Sequence, residues 1–150
     1  MTRTAAANAL RAANVMLMLG IVAALAALVA GGFGIVVHLE KLKSGYDWGG
    51  LQALVAIIAG VIALLCALIA IGFLIAQGFV RCGTPRSLKT GIVVTVLAGL
   101  IPMVGVALIW AANDPSIGWF IKDALFLSVW LAPHVWIIVL LHGARREQVA

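Results

Sequence analysis

The chain has 150 residues, of which 65% are hydrophobic and only 10% are charged, and its mean hydropathy is +1.20. A soluble domain carries about 25% charged residues, and a chain of this length could not bury so much apolar surface in water. The composition therefore excludes an ordinary soluble domain and predicts one transmembrane domain over residues 1–150. The net charge is +5, and because the basic residues flank apolar segments, we expect anionic lipid headgroups rather than nucleic acid to be their partners.

Four long, nearly uncharged segments predict an all-α, polytopic membrane protein with spans at about 14–37, 51–80, 89–111 and 116–141. Each exceeds the roughly 18 apolar residues that distinguish a membrane-spanning helix from a buried core helix. The first span is too apolar over too great a length for a cleaved signal peptide, so we expect it to be retained. The alanine-rich segment 4–13 is expected to continue this span as one helix, with a short helix on the inner membrane surface as the alternative.

The distribution of basic residues predicts the orientation of the spans. Lys41 and Lys43 lie on one predicted side, joined by Lys122 if the start of the fourth span is counted. The other side carries seven basic residues: Arg3, Arg11, Arg81, Arg86, Lys89, Arg145 and Arg146. Because loops rich in Lys and Arg stay in the cytoplasm, both termini are predicted to be cytoplasmic. An aromatic belt is predicted at the outer interface, formed by Tyr46, Trp48, Trp110 and Trp119.

Small residues and prolines predict how the helices pack. Pro102 and Pro133 lie inside the third and fourth spans, where each removes a helix hydrogen bond and is expected to kink the helix. Close backbone contact between membrane helices depends on small side chains. These recur at four-residue spacing in five sets: Ala23, Ala27 and Gly31; Ala26, Ala30 and Gly34; Ala56 and Gly60; Ala59, Ala63 and Ala67; and Gly91, Thr95 and Gly99.

Ionisable residues inside a span are costly and therefore candidates for function. Asp123 and His134 are eleven positions apart on the fourth span, which places them within about 20° of one helix face and roughly 16 Å apart along the axis. Such a polar seam could carry protons or line a substrate path. Because Leu127 interrupts it, the favoured interpretation is structural, with Asp123 near the headgroups and His134 donating to a backbone carbonyl.

No cofactor, metal or catalytic site is predicted. The three histidines, His38, His134 and His142, are not placed as a pair at equal depth on facing helices, as a haem held by two histidines requires. A haem shared between His134 copies in a dimer, or with a partner's histidine, stays an alternative. The sequence has no CxxC or HxxxH spacing for a metal, and no Ser or Cys is placed with a base and an orienting acid.

The sequence predicts a small accessory, anchoring or scaffold subunit of a larger inner-membrane complex, not an enzyme, whose partners are lipid and other membrane subunits or further copies of itself. One alternative is a homo-oligomeric channel or proton-linked transporter that uses Asp123 and His134. Another is a redox anchor that binds quinone or haem together with a partner subunit. The richness in Ala, Gly, Val and Arg favours a bacterial source.

Overall fold

The computed structural model describes residues 2–44, 50–112 and 117–149, and these residues form four α-helices. They are α1 (Arg3–Ser44), α2 (Leu51–Cys82), α3 (Pro85–Ala112) and α4 (Ile117–Val149). Each contains a segment long and apolar enough to cross a membrane. The predicted all-α class is therefore confirmed, with four helices that could each span a membrane.

The helix α1 begins at Arg3 and continues without a break into the first span. Thr2 caps it, since its hydroxyl oxygen accepts a hydrogen bond from the Ala5 N–H at 3.1 Å and its carbonyl accepts one from the Ala6 N–H. A threonine at this position satisfies N–H groups that have no partner within the helix. The expectation that segment 4–13 extends the first span is thus confirmed.

The chain divides into two compact units, which are described separately. Unit 1 comprises Met1–Leu17 together with Phe73–Ala150, and unit 2 comprises Met18–Gly72. Unit 1 therefore contains the start of α1, the end of α2 and the whole of α3 and α4. Unit 2 contains the rest of α1 and the first two-thirds of α2.

The core of unit 1 combines an alanine face with larger apolar side chains. The beginning of α1 contributes residues that recur every three or four positions, which places them on one helix face: Ala5, Ala9, Ala12, Ala13 and Met16, all buried. The other helices contribute the larger buried side chains: Phe73, Val80, Leu88, Ile137 and Leu141. The small alanine side chains allow the other helices to approach the α1 backbone closely.

Gly91 on α3 marks the tightest contact in unit 1. A Cβ atom added there would lie 2.5 Å from Val80 Cγ2, 3.1 Å from Leu141 Cδ1 and 3.3 Å from Met16 Cε. These three side chains belong to α2, α4 and α1 and are fully buried. All four helices therefore meet at a position that only glycine can occupy without displacing its neighbours.

Within unit 2, α1 and α2 also contact through small residues. A Cβ atom at Gly34 would lie 3.2 Å from the Ala59 Cβ, and one at Gly31 would lie 3.6 Å from the Ala63 Cβ. The contact uses one glycine from each of the two small-residue sets on the first span. Gly60 joins this contact through its backbone, since its nitrogen would lie 3.9 Å from a Cβ at Gly34, although a Cβ added at Gly60 itself would meet nothing within 4 Å.

The link between α2 and α3 is a two-residue turn. Gly83 has a φ of +68°, a left-handed conformation that glycine adopts without strain, and its N–H donates to the Val80 carbonyl. Thr84 then caps α3, accepting a hydrogen bond from the Ser87 N–H at 3.2 Å, and Pro85 occupies the first helical position. The turn therefore consists of Gly83 and Thr84 alone.

Pro102 and Pro133 lie inside α3 and α4, and both helices continue through them. The kinks predicted at these residues stay predictions. Residues 113–116 lie outside the described residues, as do Tyr46 and Trp48 of the predicted aromatic belt.

We expect Gly91→Ala to lower the free energy of unfolding by about 1–3 kcal/mol, because the added methyl group overpacks the four-helix contact. The measurement is reversible unfolding in mixed detergent micelles. Gly105→Ala on the same helix is the matched control, since an added Cβ meets nothing within 4 Å there, and it should not destabilise the protein. Equal stability of the two variants would contradict the packing described at Gly91.

Candidate functional site on the fourth helix

Asp123, the first of the two predicted site residues, pairs with a tryptophan. The indole Nε1–H of Trp110 donates a hydrogen bond of 2.7 Å to the Asp123 Oδ2 atom. Asp123 lies in the first turns of α4 and is half-buried, whereas Trp110 lies near the end of α3. The bond therefore connects the adjacent ends of two consecutive helices within unit 1.

His134, the second predicted site residue, is buried in unit 1 with 2% of its surface exposed. Its Nδ1 atom lies 2.7 Å from the carbonyl oxygen of Trp130. Because a carbonyl can only accept, Nδ1 carries the hydrogen, and in the neutral ring Nε2 holds the lone pair. The acceptor is not the carbonyl released by Pro133, which belongs to Val129, one helical turn before the proline.

The surroundings of His134 are aromatic and apolar. Its ring centroid lies 5.0 Å from that of Trp130 and 5.6 Å from that of Phe73. On the α3 side, a Cβ atom added at Gly99 would lie 3.4 Å from His134 Cδ2. The absence of a side chain at Gly99 thus allows α3 to pack against the imidazole edge.

Two buried polar atoms in this cluster have no hydrogen-bond partner within the described part of the chain: Nε2 of His134 and Nε1 of Trp130. The first is an acceptor in the neutral ring and the second is a donor. An unpaired buried polar group costs about 1–3 kcal/mol, and hydrocarbon provides no water to replace the missing partner. Nε2 of His134 therefore lacks a hydrogen-bond donor, and Nε1 of Trp130 lacks an acceptor.

The structure does not bring Asp123 and His134 together. Asp123 accepts its hydrogen bond from Trp110 of α3, whereas His134 donates to the Trp130 carbonyl of α4. The rise of an α-helix separates Asp123 and His134 by roughly 16 Å. Leu127 and Trp130 lie between them in the sequence, as predicted. Nothing polar joins the two ends of the seam among the described side chains of α4, since the Ser128 hydroxyl is exposed and donates to the Ala124 carbonyl.

Sequence reasoning did not foresee the Trp110–Asp123 pair. Trp110 was assigned to the interfacial belt, and the side chain of Trp119 from the same belt lies outside the described residues. The available signal was an indole N–H near the end of one span and a carboxylate near the start of the next. Spans joined by a short turn place such residues at similar depth.

Thr95, the one polar side chain predicted deep in the first three spans, is fully buried. Its hydroxyl donates to the Gly91 carbonyl of the preceding turn at 2.8 Å, so its hydrogen is already used within α3. In the part of the chain that the structure describes, no group of three or more His, Cys, Asp and Glu residues is arranged to hold a metal ion.

No protein-family model matches this chain, and no curated protein or solved structure is significantly similar to it. Inference about function therefore depends on the geometry of the chain itself.

We expect Trp110 and Asp123 to be energetically coupled. In a double-mutant cycle with Trp110→Phe and Asp123→Ala, the coupling in the free energy of unfolding should be about 1 kcal/mol, the usual size for one intact hydrogen bond. Asp123→Asn keeps a carbonyl acceptor and should lose less stability than Asp123→Ala. Strictly additive single-mutant effects would show that the bond does not stabilise the protein.

Proposed function

We propose that this protein is an accessory or anchoring subunit of a larger complex in the bacterial inner membrane, with no catalytic centre of its own and with both termini in the cytoplasm. The observation that carries the proposal is the exposed apolar surface of unit 2. Large apolar side chains of α1 and α2 are exposed there, and alanines lie between them. Two of the largest exposed fractions are those of Leu28, at 72%, and Val29, at 73%. Lipid or the helices of a partner must cover this surface.

Small residues on this surface suit it to helix docking. A groove of about 590 Å³ runs between α1 and α2 in unit 2, and it is lined by Ala26, Val29, Ala30, Phe33, Val55, Ile58, Ala59 and Ile62. Alanines in such a groove let a further helix approach closely enough for dispersion contacts, which drive helix association in a bilayer. The groove thus supports a role in which this chain binds other membrane subunits.

The polar residues of α4 support a subunit more than a transporter. A proton path needs groups that exchange partners along the membrane normal. Here Asp123 accepts a hydrogen bond from Trp110, and His134 donates one to the backbone of its own helix. Both residues thus hold fixed partners within the bundle.

The charge distribution supports the proposed orientation. The seven basic residues on the proposed cytoplasmic side are all exposed and all belong to unit 1. They occur near the start of α1, the end of α2, the start of α3 and the end of α4, which lie on one side of the membrane when four consecutive helices each cross it once. Lys and Arg concentrate on the cytoplasmic side of membrane proteins.

Cys82 gives a direct test of orientation, because its side chain is exposed at the end of α2. In a Cys66→Ala background, a membrane-impermeant maleimide should label Cys82 only after the cells are permeabilised. A matched variant in the same Cys66→Ala background carries Lys43→Cys and Cys82→Ala, so its single thiol lies at an exposed position near the end of α1. This variant should be labelled in intact cells. The reverse pattern would contradict cytoplasmic termini.

Native mass spectrometry tests the proposed function. The tagged protein should leave its own membranes in mild detergent as a stoichiometric complex with at least one other membrane polypeptide. A variant with Ala26→Leu and Ala30→Leu, which fills the groove of unit 2, should lose that partner and keep its helical content. A homo-oligomer of this chain alone would refute the subunit role and favour a channel or transporter.

A further inference from the structure

A second groove lies within unit 1, between α3 and α4, and leads to the buried His134. Its volume is about 150 Å³, and its lining includes Thr95, Gly99, Met103, Leu131, His134 and Val135. Val135 and Met103 are exposed, so the groove opens on the surface of the helix pair. In a membrane-spanning bundle this opening faces the bilayer or a neighbouring subunit, and an apolar molecule can enter it from the side.

His134 lines the groove and has one ring nitrogen without a hydrogen-bond partner. His134 is 98% buried, its Nδ1–H is held by the Trp130 carbonyl, and its Nε2 has no partner. In the neutral ring Nε2 accepts a hydrogen bond, so a matching ligand must carry an O–H or N–H group. A hydroxyl supplies the hydrogen that Nε2 needs.

The size of the groove limits the rest of the ligand. An apolar protein cavity of about 150 Å³ accommodates one benzene ring. Apart from Thr95 and His134 the lining is apolar, with Leu131 and Val135 among its residues, so the groove suits an apolar ring. The opening towards lipid leaves space for an apolar substituent to remain in the bilayer.

We infer that this groove binds the hydroxyl-bearing ring of a membrane-soluble phenol or hydroquinone, with the hydroxyl donating a hydrogen bond to Nε2 of His134. Because Nε2 has no exposed surface, the ring reaches it when side chains lining the groove change rotamer. Met103, an unbranched and flexible side chain, is 39% exposed and suited to that movement. The inference goes beyond the proposed subunit role and stands on different residues.

The test uses the purified full chain in lipid nanodiscs, so that its outcome does not depend on any partner subunit. The probes are para-hexylphenol and hexylbenzene, which share the ring and the alkyl chain and differ in the hydroxyl. Binding is followed by nitrogen NMR spectroscopy of histidine-labelled protein, with ligand concentration expressed per lipid to remove differences in partitioning. The phenol should shift the His134 Nε2 resonance and bind about tenfold more tightly than hexylbenzene, as expected for one net hydrogen bond.

Two variants separate the hydrogen bond from the space that the ring occupies. His134→Phe keeps an aromatic side chain and should abolish the preference for the phenol, whereas His142→Phe, which removes an exposed histidine from the same helix, should not. Gly99→Val fills the groove while His134 stays in the sequence, and it should abolish binding of both probes. Its control is Gly105→Val, at a position on α3 where an added Cβ meets nothing within 4 Å.

Three results would overturn the inference. The first is equal affinity for the two probes in the unmodified protein, and the second is an unshifted Nε2 resonance at saturating phenol. The third is a phenol preference that survives in Gly99→Val. If His134→Phe or Gly99→Val fails to fold, the unmodified protein still decides the matter, through the relative affinity of the two probes and the shift of the Nε2 resonance.

Discussion

The contact around Gly91 is the constraint on which the rest of unit 1 depends. Lipid tails are as apolar as leucine, so helices in a bilayer associate through close packing rather than through burial from water. At Gly91, side chains from α1, α2 and α4 all reach the α3 backbone, and a single methyl group would collide with Val80. Dispersion forces fall steeply with distance, so the absence of a side chain there lets four helices pack together.

The same face of α3 determines how the polar residues are placed. Thr95 and Gly99 follow Gly91 at four-residue intervals, and all three are buried. The Thr95 hydroxyl donates to the Gly91 carbonyl, which satisfies a polar group deep in the bundle without any other helix. Gly99 then allows α3 to lie against the edge of His134. The position of His134 against α3 therefore depends on the same small face of α3 that begins at Gly91.

Much of this architecture follows from the sequence, because hydropathy and small-residue spacing are strong signals in membrane proteins. Four helices, the uninterrupted start of α1 and the small face of α3 were all predicted and are confirmed. The sequence could not show which glycines of α1 would face α2, since its two small-residue sets are equivalent by composition. The buried face from Ala5 to Met16 was not predicted. Alanines occur on both the buried and the exposed faces of this segment, so hydropathy does not distinguish the two faces.

The candidate site was only partly predictable, for a related reason. Position along the helix identified Asp123 and His134, but hydrogen bonding depends on the direction of side chains on neighbouring helices. The Trp110–Asp123 bond joins the ends of α3 and α4, and helix periodicity alone does not show that the indole points towards the carboxylate. The unpaired Nε2 of His134 likewise emerges only after Phe73, Gly99 and Trp130 are found around the ring.

The unpaired Nε2 of His134 is a feature that packing alone does not explain. A leucine or phenylalanine at position 134 would fill the same apolar surroundings and leave no buried acceptor without a donor, so the imidazole adds a cost that packing alone does not require. In hydrocarbon little water is available to supply the missing donor, and a ligand that carries an O–H group supplies it. Such a ligand would approach through the groove beside Gly99, which opens on the surface of α3 and α4. The probe with the hydroxyl removed distinguishes the need for a donor from the need for a filled space.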